Sequence, residues 1–126
     1  MKKLLCLLAI IICVFFTSVS FAASADEIKD LEIKAAQGDA EMQFLLGSMY
    51  VSGEDVSPDY VKAAEWFEKS AIQGFAEAQF ILGFMYHGAL GISQDYAAAK
   101  EWYKKACDNG YQLGCNAFKE LNKAGF

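Results

Sequence analysis

Apolar residues fall along this chain in two helical patterns that alternate. Between residues 39 and 52, Ala40, Met42, Phe44, Leu45, Leu46, Met49 and Tyr50 place apolar groups almost all the way around a helical wheel. A helix of that kind is enclosed by neighbours. Between residues 58 and 73 the pattern is two-sided, with Ala63, Ala64, Trp66, Phe67, Ser70 and Ala71 set against Lys62, Glu65 and Lys69. This second helix is expected to cover the first from outside, with Ser57 as its N-cap, Pro58 at its first position and Glu65 paired with Lys69 at i, i+4.

The pair of patterns then repeats. Residues 35–70 lie over residues 71–106 without a gap: Gly38 on Gly74, Ala40 on Ala76, Gln43 on Gln79, Leu46 and Gly47 on Leu82 and Gly83, Tyr50 on Tyr86, Asp59 and Tyr60 on Asp95 and Tyr96, Trp66 on Trp102. A fixed period of 36 residues means stacked supersecondary units. Gly47 and Gly83 sit mid-helix, where glycine costs about 1 kcal/mol relative to alanine. Their repetition points to a close approach of two backbones, since the alternative of a bend would need two hinges in phase.

The flanks read as half-units. Ser24 and Glu27 have the spacing of a capping box. Ile28, Leu31 and Ala35 follow on one helical face, and Gly38 can close the helix in the left-handed conformation. After residue 106, Gly110 aligns with Gly74 and Phe118 with Leu82, so a third unit begins; Lys119 stands where Gly47 and Gly83 stood, and Glu120 and Lys123 suit the polar outer face of a terminal cap. The expected fold is all-α: an α/α superhelix, or solenoid, of about six antiparallel helices, with two full repeats at 35–70 and 71–106 and half-repeat caps, the C-terminal one at 107–126.

Residues 1–22 follow a different rule. Lys2 and Lys3, an apolar run from Leu4 to Phe16 and a small, polar close at Ser20, Phe21 and Ala22 have the layout of a secretory signal peptide. Cleavage is expected after Ala22, or as late as Ala25, leaving a repeat domain over 23–126 and no membrane insertion. The net charge of −5 then becomes −7, nine lysines against sixteen carboxylates, with no arginine. Such a surface lacks the basic stripe that nucleic-acid phosphates require.

The series G-x-A-x-x-Q-x-x-L-G-x-x-Y, a glycine-containing loop, D-Y and E-W-[FY]-x-K-[SA] resembles the Sel-1-like repeat, a relative of the tetratricopeptide repeat. The resemblance covers residues 35–106 in two copies. It implies a scaffold or adaptor for protein contacts, with no catalytic residues and no cofactor. One departure stands out: the family's two loop glycines appear as Gly53 and Asp55 in one unit and as Gly88, Ala89 and Gly91 in the next, so the two loops are expected to differ in shape.

Cys6 and Cys13 leave with the signal segment, and Cys107 and Cys115 remain as an even pair in an exported chain. Register sets them across the turn at Gly110. The C-x7-C after K-A resembles cysteine-rich secreted members of the family, in which the two thiols are joined. Such a short closed loop contributes on the order of 2 to 3 kcal/mol by the chain-entropy estimate. Two thiols are too few for a metal, and a redox pair favours C-x-x-C spacing.

No stretch has phosphate-loop spacing. The family resemblance carries one alternative to protein binding, β-lactam binding or hydrolysis as linked to some cysteine-rich relatives, but no Ser-x-x-Lys motif supports it. The surface expected to meet a partner is a second stripe on the first helices: Glu41, Phe44 and Ser48, then Glu77, Phe80 and Phe84, with His87 one turn further. By analogy with tetratricopeptide superhelices it lines the concave face of a monomer, where aromatics rimmed by charge suit a protein or peptide. Phe44 and Phe80 could equally fill space between helices. Phe84 differs, because its counterpart is Ser48.

Overall fold

The computed structural model of the chain describes residues 23–126; the signal-peptide reading of residues 1–22 lies outside them. Six helices follow in order, α1 Ala25–Ala36, α2 Ala40–Ser52, α3 Tyr60–Ile72, α4 Ala76–Gly88, α5 Tyr96–Asp108 and α6 Gln112–Lys123, and the described residues contain no strand. Each helix packs on the next in the chain, which is the pattern of a solenoid. Connections alternate between three-residue turns and seven-residue loops. The turns pass through Gly38, Gly74 and Gly110 at φ of +103°, +92° and +85°.

The two loops share one backbone path, against the expectation that they differ. Left-handed residues stand at Gly53 and Asp55 in the first and at Ala89 and Gly91 in the second, 36 positions apart in each case. Asp59 N–H donates to the Tyr50 carbonyl, and Asp95 N–H to that of Tyr86. The glycine therefore moved while the conformation stayed. Gly91 has no freedom to change, since a Cβ there would run into the Tyr60 carbonyl. Ala89, at φ +54°, holds a conformation that disfavours a side chain. Ala89→Gly is expected to raise stability by about 0.5 to 1 kcal/mol, net of glycine's larger unfolded-state entropy. A lower urea midpoint for this variant would contradict that.

Helix starts explain the D-Y pair shared by the copies. α3 is capped by Asp59, whose Oδ1 accepts from Val61 and Lys62 N–H at 3.0 and 3.1 Å, and α5 by Asp95, which accepts from Ala98 N–H. Ser57 and Pro58 are not the cap and first helical residue; Pro58 packs against Gly53. Aspartate wins because its charge also favours the positive end of the helix. The expected capping box is present at α1, with Ser24 N–H donating to Glu27 Oε2 and Glu27 N–H to Ser24 Oγ.

The core runs along the seam between the helices. Phe67 and Tyr103, one repeat apart, are each only 2% exposed. A Cβ at Gly47 would lie 3.0 Å from the Phe67 ring, and one at Gly83 would lie 2.8 Å from the Tyr103 ring and 3.1 Å from the Ala99 carbonyl. At both glycines, then, an aromatic ring takes the space nearest the missing Cβ, and at Gly83 the backbone of the partner helix comes close as well. On the outer face, Lys69 turns its ammonium to the Trp66 ring at 4.2 Å instead of pairing with Glu65, and Lys105 does the same over Trp102. A cation over an indole face is worth about 0.5 to 1 kcal/mol when exposed, at least as much as a surface ion pair.

Candidate interaction surface and the joints between units

Each unit is joined to the next by the same two devices. One is aromatic. Phe44 meets Phe67 at 5.7 Å and Phe75 at 5.1 Å between ring centroids, and one repeat later Phe80 meets Tyr103 at 5.6 Å and Tyr111 at 5.3 Å. Phe44 and Phe80 are thus half-buried between helices.

The other device is polar. Gln43 Nε2 donates to the Ala35 carbonyl at 3.0 Å, and Gln79 Nε2 to that of Ala71 at 3.0 Å. Their amide oxygens accept from Gln73 and Asn109, both at 2.8 Å. These glutamines are buried, and every buried polar side-chain atom among the described residues has a partner.

Carried on by one more period, the positions of Ala71 and Gln79 become those of Cys107 and Cys115. These two form a disulfide between α5 and α6, with Cα atoms 4.5 Å apart. The joint that is a hydrogen bond twice is a covalent bond the third time. Beside it α5 and α6 come close at Gly114, where a Cβ would lie 2.7 Å from Ala106 Cβ, 2.8 Å from the Tyr103 carbonyl and 3.0 Å from Cys107 N. Gly114 has no glycine counterpart in the other units, so register alone did not reveal it.

What the first helices leave wholly or partly open is a stripe at i, i+4, i+7, of which Ile81 and Ala117 also pack against the core. In α2 it comprises Glu41, Leu45 and Ser48; in α4, Glu77, Ile81 and Phe84; in α6, Leu113, Ala117 and Glu120. Leu45 and Ile81 thus stand on the stripe beside the expected members, one position after Phe44 and Phe80. Glu41 and Glu77 are exposed, and Ser48 spends its hydroxyl on the Phe44 carbonyl at 2.9 Å. Phe84 is 52% exposed, Leu113 51% and Leu45 39%. His87, also exposed, sets its ring edge-on to Tyr96, with Nδ1 3.5 Å from the Tyr103 hydroxyl. Burial pushes the Tyr103 phenol up to about 12, so it stays neutral and serves as a hydrogen-bonding group.

The described residues hold no group of three or more His, Cys, Asp or Glu side chains arranged for a metal, and no helix of theirs is long and apolar enough to cross a membrane.

Six helices in register, joined at repeating positions, define an α/α solenoid of short helical repeats. Residues 40–75 and 76–111 match the Sel1 repeat, the same 36-residue period cut five residues later than the register above. The chain belongs to the Sel1 repeat family. Among solved structures it is similar to a Sel1 repeat protein from Oxalobacter formigenes, at 34% identity over 75% of this chain and 71% of that one, with a TM-score of 0.73. It is similar also to c5321, a protective antigen of uropathogenic Escherichia coli strains displaying an SLR fold, at 31% identity and a TM-score of 0.77. That match covers 89% of this chain but 24% of the antigen. Helicobacter pylori cysteine rich protein B shares the fold at 23% identity, with a TM-score of 0.72 over 82% of this chain and 78% of that one. No curated protein matches the chain. Sel1-repeat proteins are in general modules of protein–protein interaction, and the fold is typically a non-catalytic scaffold.

Proposed function

We propose that this chain is a non-catalytic interaction module, periplasmic or secreted, that binds a protein or peptide on the concave face of its superhelix. Residues 1–22 would direct its export, and the Cys107–Cys115 disulfide suits an oxidising compartment. The observation that carries the reading is Phe84, an aromatic ring half in water at a position where the neighbouring units have Ser48 and Glu120. Packing does not require it. Around it Leu45, Ile81, Glu77 and His87 supply the apolar and polar groups of a contact surface.

The test is Phe84→Ala, assayed against the partner recovered by pull-down from the native envelope. Affinity should fall roughly tenfold or more, as for an aromatic hot spot, while the melting temperature stays nearly unchanged. A destabilisation of roughly 3 to 5 kcal/mol, that of a buried Phe→Ala change, would place the ring in the core and remove the surface from consideration.

A further inference from the structure

On the reading that the open stripe is the contact surface, we infer that its ligand is a cationic, apolar peptide segment. Leu45 and Phe84, both exposed, and the edge of the partly buried Ile81 form the apolar middle of the stripe. Along its margin Glu41 and Glu77 stand at equivalent positions in consecutive units, and both are exposed. Among the described residues the ion pairs are Lys34–Asp30, Lys104–Asp108 and Lys123–Glu120, so neither of these two glutamates is paired with a described lysine. The stripes of α2 and α4 contain no lysine.

A segment laid across α2 and α4 therefore meets apolar side chains and uncompensated negative charge together. An acidic segment would bring like charges to the Glu41 and Glu77 margin, while lysine or arginine beside a leucine-like anchor would answer both features. The division of labour follows from magnitudes. Exposed ion pairs add little affinity, whereas complementary charge raises the association rate and rejects the wrong partner. The apolar contact at Phe84 holds the ligand, and Glu41 and Glu77 select it.

The experiment measures binding of two labelled probes, a short leucine–lysine peptide and its leucine–glutamate counterpart, to the oxidised protein at low and high salt. The lysine peptide should bind and the glutamate peptide should not. Phe84→Ala should weaken binding roughly tenfold, mainly through faster dissociation. The pair Glu41→Gln and Glu77→Gln should weaken it roughly three- to tenfold at low salt, mainly through slower association, and should flatten the salt dependence. The pair Glu65→Gln and Glu68→Gln removes the same charge from exposed positions on α3 and should leave binding unchanged. Equal loss in both glutamate pairs, equal binding of the two probes, or no binding of either overturns the inference about ligand charge. Should Phe84→Ala leave the envelope partner's affinity unchanged, the reading of the stripe as the contact surface fails as well, whatever the probes do.

Discussion

Replacing Phe67 by alanine is expected to destabilise the array by roughly 3 to 5 kcal/mol, the cost of a fully buried ring and the cavity it leaves. The ring lies in the seam between α2 and α3, fills the space over Gly47 and touches Phe44, which in turn meets Phe75 at the start of α4. In a solenoid each unit is stabilised by its own packing and by its immediate neighbours, so the loss falls on both sides of the ring. The sharper measurement is the double variant. Alone, Gly47→Ala forces a methyl to within 3.0 Å of the ring and should be destabilising. In a Phe67→Ala background the space is open, and the better helix propensity of alanine should make the same change stabilising by about 1 kcal/mol. Urea unfolding of the four proteins checks the sign. If Gly47→Ala costs the same in both backgrounds, the ring is not the reason for the glycine.

Removing the disulfide by Cys107→Ala with Cys115→Ala should cost about 2 to 3 kcal/mol, the constraint lost from the unfolded chain. The repeating joint makes a more specific prediction possible. Combining Cys107→Ala with Cys115→Gln recreates the pairs Ala35–Gln43 and Ala71–Gln79, in which the glutamine donates to the alanine carbonyl. A hydrogen bond of that kind contributes about 1 kcal/mol. The glutamine variant should therefore melt between the oxidised protein and the double-alanine form. Melting at or below the double-alanine form would mean that the third joint is not built like the first two.

Most of the fold was legible because the 36-residue register carries the periodicity of every helix, and the helix bounds follow it closely. The errors have a common physical origin. Ser57 before Pro58 is a sound local N-cap signal, but Asp59 lies two residues further on with a charged acceptor aimed at the helix end. Glu65 and Lys69 have the right spacing for an ion pair, but a tryptophan one turn from the lysine offers it an aromatic face. Gln43 and Gln79 were visible as matched positions without a role, since a glutamine's partner is set by three-dimensional neighbours. For Phe44 and Phe80 the sequence left two roles open, partner stripe or filling between helices, and their rings lie against α3 and α5 together with the three-residue turns. Leu45 escaped notice as part of the open stripe because a wheel that is apolar all round does not say which side the neighbours leave free.

The neighbour-to-neighbour packing also makes the number of units a variable separable from the fold. Excising residues 40–75 would join Asp39 directly to Ala76, and Gln79 would then stand opposite Ala35 as Gln43 does now. α4, which has no side-chain cap behind Phe75, would acquire the aspartate that caps α2. The terminal disulfide and the α4–α5 and α5–α6 seams would keep their partners, while α4 and the second loop would exchange the α3 surface, Tyr60 included, for that of α1. The shortened array would differ in reach: the proposed contact surface would have one row of side chains fewer, and binding strength could be measured against row number.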